Sequence, residues 1–138
     1  MSAEATLEKL GITLPEAPKP IGNYVGGVRV GTLLFMSGCG PRKPDNTSIT
    51  GKVGSDLSTE QGYEAARLVG LNMLANVKAQ LGSLDKVKRV VKVLGMVNAD
   101  LAFKEHPKVI NGFSDLFRDA GIEVVMKPRP PDEITFLD

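Results

Sequence analysis

The chain has 138 residues, 42% of them hydrophobic and 24% charged, with a formal net charge of +1. That is the composition of a globular domain long enough to bury a core, and the near-neutral balance supplies no field for gathering nucleic acid or an anionic membrane. One cysteine, Cys39, excludes an intrachain disulfide, and one histidine, His106, excludes a multi-histidine metal centre.

No apolar run approaches the ~18 residues of a membrane span. The N-terminal stretch lacks the basic-then-apolar order of a secretion leader, and a lone thiol suits a reducing compartment, so a cytoplasmic location is expected. Lysines and arginines are scattered except in "KVKRVVK" (residues 86–92), whose valines read as a strand. Five Phe and two Tyr are few for stacking bases, so nucleic acid is not an expected partner.

In chain order, residues 3–10 form a short helix ending at Gly11, and "LPEAPKPIG" is an extended, proline-rich lead-in. Residues 1–138 read as a single domain, with 1–22 as its N-terminal helix and lead-in. Residues 24–30 and 32–37 make a hairpin pivoting on Gly31. Counting by alternation, Val28, Val30, Thr32, Leu34 and Met36 face one side and Leu33 and Phe35 the other. The strand stops in Ser37-Gly38-Cys39-Gly40-Pro41, a turn carrying a hydroxyl and a thiol. "TGKVG" (residues 50–54) is a third, short strand.

Ser58 followed by Gln61 has the form of a capping box. Ala66, Val69, Gly70, Met73, Leu74, Val77 and Leu81 then recur at helical spacing up to Gly82, so residues 59–81 are one amphipathic helix. Residues 86–97 are a long β-rich run. A second helix covers about residues 106–120, with Val109, Ile110, Phe113, Leu116 and Phe117 inside it and Gly121 at its end. "IEVVM" (122–126) and "EITFL" (133–137) complete the strands.

This order predicts an α+β fold, a mixed sheet with two helices on one face. Yet "LLFM" (33–36) and "VVKVL" (90–94) carry apolar side chains toward both faces. An uncovered face of that kind exceeds the few hundred Å² that soluble monomers expose. Either long linkers fold over it or another subunit does, and self-association is the expectation.

"IGNYVGGVRVGTLLFMSGCGP", the stretch from "LSTEQGYEAARLVG" to "VLGMVNA", and "HPKVINGFSDLF" resemble the Rid/YjgF family of imine deaminases, over about residues 20–118. The branch they resemble most is the one called endoribonuclease L-PSP or YjgF-like. The resemblance implies a chorismate-mutase-like fold and a homotrimeric barrel with sites in clefts between subunits. It implies no cofactor, and a 2-imino or 2-oxo acid as ligand. Tyr24 matches the family tyrosine, with Asn23 in place of proline. Ser37 matches the serine of its Ser-Gly-Gln turn, so Gly38 and Cys39 line the site, Cys39 replacing the glutamine. Asn111 matches the asparagine of the second-helix motif. Arg129, at the matching distance beyond it, is the implied carboxylate-binding arginine. The chain then reads Pro130-Pro131-Asp132, where the family has a valine-rich strand, and no motif aligns Glu133 with the family's water-orienting glutamate.

Hydrolysing an imine asks for positioning and polarisation more than acid–base power. Tyr24, Ser37 and Arg129 are therefore the candidate catalytic residues, and Gly38, Cys39, Asn111 and Arg129 the candidate substrate contacts. Each has a plainer alternative. Arg129 could be a solvated charge and Ser37 a turn serine satisfying its own backbone. Tyr24 could pack on the hairpin, and Asn111 could serve its helix. Cys39 has no imidazole placed to activate it and reads as an inert thiol, and His106 as a helix-start residue. Two functions follow: hydrolysis of 2-iminobutanoate and 2-iminopropanoate to 2-oxo acids and ammonia, or a non-enzymatic module of the same fold that binds a small carboxylate or regulates a partner. Ribonuclease chemistry lacks a basic stripe and a histidine pair.

Overall fold

A long helix organises the molecule because its sequence specifies both of its ends. The Ser58 hydroxyl accepts from the Gln61 N–H at 3.1 Å, and the Gln61 side chain accepts from the Ser58 N–H at 2.8 Å. The helix runs Thr59–Leu81, and Gly82 closes it in the left-handed region at φ +80°. This is the expected span. The computed structural model describes residues 1–124. In order these give α1 (Ala3–Lys9), β1 (Gly27–Val30), β2 (Leu33–Met36), α2 (Thr59–Leu81), a 3-10 turn (Leu84–Lys86), β3 (Arg89–Val90), α3 (His106–Asp119) and β4 (Glu123–Val124). Arg129, Glu133 and the expected strand at 133–137 lie outside the described residues.

The helices α2 and α3 meet through small residues. A Cβ on Gly70 would stand 2.8 Å from Leu116, and one on Gly112 would run into the Tyr63 carbonyl of α2. Glycine at these points lets the helices approach until Leu116 and Phe117 reach Leu74 and Val77 in the core. Phe113 stacks on Phe117, ring centres 4.5 Å apart. His106 opens α3, its ring edge-on to Phe103.

The N-terminal helix belongs to this same core, which the sequence did not suggest. Ala3 and Leu7 are buried with Leu84 and Ile122. A polar clasp holds α1 in place: Glu4 pairs with Lys78 at 2.8 Å and accepts from the Leu84 N–H at 3.0 Å, while the Glu4 N–H donates to Asp85.

Strands β1 and β2 pair antiparallel through Gly31-Thr32, with Val30 opposite Leu33 and Val28 opposite Phe35. Gly31 sits at φ +59°, as the first central residue of a two-residue hairpin loop requires. The turn corrects the expected faces. Residues directly opposite share a face, so Val28 and Val30 lie with Leu33 and Phe35, not with Leu34 and Met36. Straight alternation counted through the turn as if it were strand, and its chain reversal exchanges the faces. Leu34 and Met36 pack against the core. Val28, Val30, Leu33 and Phe35 are exposed, Phe35 by 60%.

Two further expectations shorten. Residues 50–54 form no strand; Val53 alone makes bridges to Leu57 and Ala99. The run at 86–97 contributes only β3, parallel to β4, with Arg89 opposite Glu123 and Val90 opposite Val124. Beyond β3, Val91, Leu94 and Met96 are exposed, Met96 by 87%. Among the described residues the result is an α+β arrangement of three helices and two small two-stranded sheets.

Candidate functional site

Where β2 ends, the chain turns across the flank of α2, and two asparagines one helical turn apart hold it there. The Asn72 side-chain amide, 3% exposed, donates to the carbonyls of Gly40 (3.2 Å) and Arg42 (2.9 Å). The Asn76 amide donates to the Cys39 sulfur at 3.3 Å. Residues 41–49 then fold back as a tight loop, with Arg42 bridged to Ser48 and Asn46 at φ +69°. These contacts fix the turn that begins at Ser37.

A cavity of about 220 Å³ opens between this turn and the lead-in. Tyr24, Ser37, Gly38 and Cys39 all border it, so four of the expected site residues come together in one chain. Asn111 does not join them. It is exposed on α3 beside Gly112, which packs on Tyr63, and Tyr63 lies roughly 20 Å along α2 from Asn76 at about 1.5 Å per residue. Arg129 lies outside the described residues. A wider depression of about 350 Å³ beside Ile49, Leu57 and the first turn of α2 is shallow and touches none of the expected residues.

The local chemistry is that of donors rather than nucleophiles. The Ser37 hydroxyl donates to the Val25 carbonyl at 2.5 Å, and its N–H donates to Gly26 at 3.0 Å. The serine thus ties the lead-in to the hairpin while its lone pairs stay open to a donor. Burial pushes the Cys39 thiol up, and the Asn76 hydrogen bond offsets this only in part. A thiol so placed remains protonated at neutral pH, and His106 stands at the start of α3 rather than beside the cavity. The N–H groups of Gly38, Cys39 and Gly40 donate to no described residue, leaving three successive amides at the cavity's edge. The Tyr24 ring lies back over Gly22, where a Cβ would meet it at 3.1 Å.

Arg42, Lys19 and Asn76 border the cavity without having been expected there, and Asn72 acts just behind it. A sequence signal existed for the asparagines: two amides spaced i, i+4 on a helix whose neighbouring positions are apolar need partners off the helix. Among the described residues, no three His, Cys, Asp or Glu side chains are grouped to hold a metal ion. No described helix is long and apolar enough to cross a membrane.

The family model described as "YjgF/chorismate mutase-like, putative endoribonuclease" matches residues 4–129. The chain belongs to this family. Protein TCP17 of Trypanosoma cruzi is 43% identical over 112 residues, 81% of this chain and 70% of that protein. A RutC family protein of Sulfurisphaera tokodaii is 27% identical over 124 residues, 87% of this chain and 78% of that one. In three dimensions the chain is similar to an endoribonuclease, so described with the qualifier "putative", from Shewanella oneidensis. That likeness has a TM-score of 0.83 at 30% identity and covers 95% of this chain and 91% of the other. It is also similar to the protein Atu1372, of unknown function, from Agrobacterium tumefaciens, with a TM-score of 0.77 at 38% identity over 89% and 77% of the two chains. The fold is that of the YjgF/chorismate-mutase-like proteins.

Proposed function

We propose that the protein hydrolyses reactive 2-imino acids, 2-iminobutanoate and 2-iminopropanoate among them, to the 2-oxo acid and ammonia. It does so as a homotrimer, in pockets along the seams between copies. The observation that carries this reading is the convergence of Tyr24, Ser37, Gly38 and Cys39 on one small cavity, bordered by amides that donate to no described residue. Such a cavity suits a substrate that already reacts with water. Water adds to the imine carbon to give a carbinolamine; the nitrogen then takes up a proton and leaves as ammonia while the C=O forms. The site must hold the carboxylate, polarise the C=N bond and keep water on one face, and the amides supply polarising donors without a strong base. Tyr24 covers the ligand, Ser37 accepts a hydrogen bond from it or from the attacking water, and Arg129 grips the carboxylate.

The trimer rests on the exposed outer face of β1 and β2, with Val91, Leu94 and Met96 exposed beyond β3. Three such faces turned inward close a barrel and remove the apolar patch from water. Asn111, remote from its own chain's cavity, then serves a neighbouring copy's.

The endoribonuclease wording is said of the relatives. On this chain a single histidine provides no pair for general acid–base cleavage of RNA. A second reading, a carboxylate-binding module without turnover, is favoured by one feature: the cavity's only thiol is held protonated and its serine hydroxyl is already committed to Val25.

Generating 2-iminobutanoate in situ and following its disappearance separates the two. Turnover well above spontaneous decay, falling at least tenfold in Arg129→Ala, is the expected result. Decay at the spontaneous rate, together with measurable 2-oxobutyrate binding, would establish the binding module instead.

A further inference from the structure

The cavity at the end of β2 carries more positive charge than a monocarboxylate needs. Arg42 and Lys19 both border it, and among the described residues no aspartate or glutamate does. Neither cation forms an ion pair or side-chain hydrogen bond with a described residue. Arg42 is also held where it stands. Its carbonyl accepts from the buried Asn72, its N–H donates to Gly40 at 2.9 Å, and it is bridged to Ser48 across the loop. A guanidinium on so constrained a backbone loses less freedom when it closes on an anion.

A second set of donors is separate from these cations: the amides of Gly38, Cys39 and Gly40, which donate to no described residue. Successive free amides in a glycine-rich turn form a concavity suited to an oxyanion or carboxylate. Two anion-seeking groups thus border one cavity of about 220 Å³, below the size of a drug-sized ligand's site. A short ligand can meet both only if it carries a negative group at each end.

We propose that Arg42, assisted by Lys19, forms a second anion subsite, and that the preferred ligand is a small dicarboxylic 2-oxo or 2-imino acid. The inference deepens the proposed deaminase reading and rests on it for the 2-imino form of the ligand. Arg42 binds the distal carboxylate through two parallel hydrogen bonds, Lys19 adds a mobile charge from the lead-in, and the amides of the turn receive the reacting end. A monocarboxylate leaves Arg42 facing water and gains nothing from it.

The test compares 2-oxoglutarate with 2-oxobutyrate by calorimetry on the full chain. Wild type is expected to bind 2-oxoglutarate at least tenfold more tightly. Arg42→Gln should bring the two within about twofold by weakening only the dicarboxylate, and Arg42→Lys should keep part of the preference. Lys43→Gln, one residue along but not bordering the cavity, should leave the ratio unchanged. Unchanged thermal melting verifies that Arg42→Gln folds, as the Asn72 bonds use main-chain carbonyls rather than the guanidinium. Equal affinities in wild type, a preference that survives Arg42→Gln, or no binding of either acid would overturn the subsite. Imine hydrolysis measured in parallel keeps the two ideas apart. Turnover without an Arg42-dependent preference sinks the subsite alone, and an Arg42-dependent preference without turnover sinks the deaminase alone.

Discussion

Leu34 and Met36 on one side of the β1–β2 hairpin rest on the core beneath α2, whereas Val28, Val30, Leu33 and Phe35 on the other side meet solvent. Gly27 and Arg29 share the inner side with Leu34 and Met36, and the apolar residues of the two sides differ in what lies opposite them. On the inner side the chain supplies its own cover, through helices whose glycines permit close approach. On the outer side it supplies none among the described residues, and Val91, Leu94 and Met96 beyond β3 are exposed as well. A hairpin face of valine, leucine and phenylalanine is ordinary for a core and out of place in water. The contrast separates residues that serve the folding of one chain from residues that, in the proposed trimer, would serve its association.

The inner side should break hardest at Gly112. In Gly112→Ala the new methyl meets the Tyr63 main-chain carbonyl and stands 3.0 Å from the Arg67 nitrogen, neither of which can turn aside. Alanine's better helix propensity returns about 1 kcal/mol, but overpacking against backbone should leave a net loss of about 2–3 kcal/mol. Urea unfolding with an unchanged m-value would register it. A Gly112→Ala protein as stable as wild type would mean that α2 and α3 are not packed this closely.

Breaking the outer side should leave the fold alone. Phe35→Lys places a charge on the uncovered face without touching the core. Light scattering is expected to give about three times the 14.7 kDa chain mass for wild type and a single chain for the variant, with the same helical circular dichroism. Unfolding of Phe35→Lys would instead show that this face supports the chain's own core.

The smallest effect sharpens the inner side's polar edge. Lys78 and the Leu84 N–H hold the Glu4 carboxyl below the usual carboxylate range. Because the folded value lies below the unfolded one, the clasp stabilises the protein at and above that ordinary range, and the gain disappears as pH falls through the depressed value. Glu4→Gln should cost about 1 kcal/mol at neutral pH, the pair being partly solvated and screened. The difference from wild type should vanish in acid. A difference that stays constant with pH would remove the charge from the explanation.

Much of this was legible in advance because it is local. The capping box at Ser58, the apolar spacing to Leu81 and the glycine after it delimit α2 correctly, since all three act within a few residues. The motif around Ser37 likewise brings Tyr24, Gly38 and Cys39 to the same cavity, being nearly continuous in sequence. The hairpin faces were misread because alternation carries no information about how a turn reverses the chain. The strand at 50–54 was overdrawn because β-rich composition does not supply a partner, and Val53 alone forms bridges there.

What the sequence by itself determined is what near neighbours decide: helix limits, the hairpin and its turn, and apolar residues on both of the hairpin's faces. Only the tertiary structure decided that α1 closes the core through Glu4, that Asn72 and Asn76 fasten the turn after β2, and that Arg42 and Lys19 stand at its cavity. Those relations join residues some 30 to 80 positions apart. Hydrogen bonds and charges act over a few ångströms of space, and a linear chain does not state which distant residues will share it.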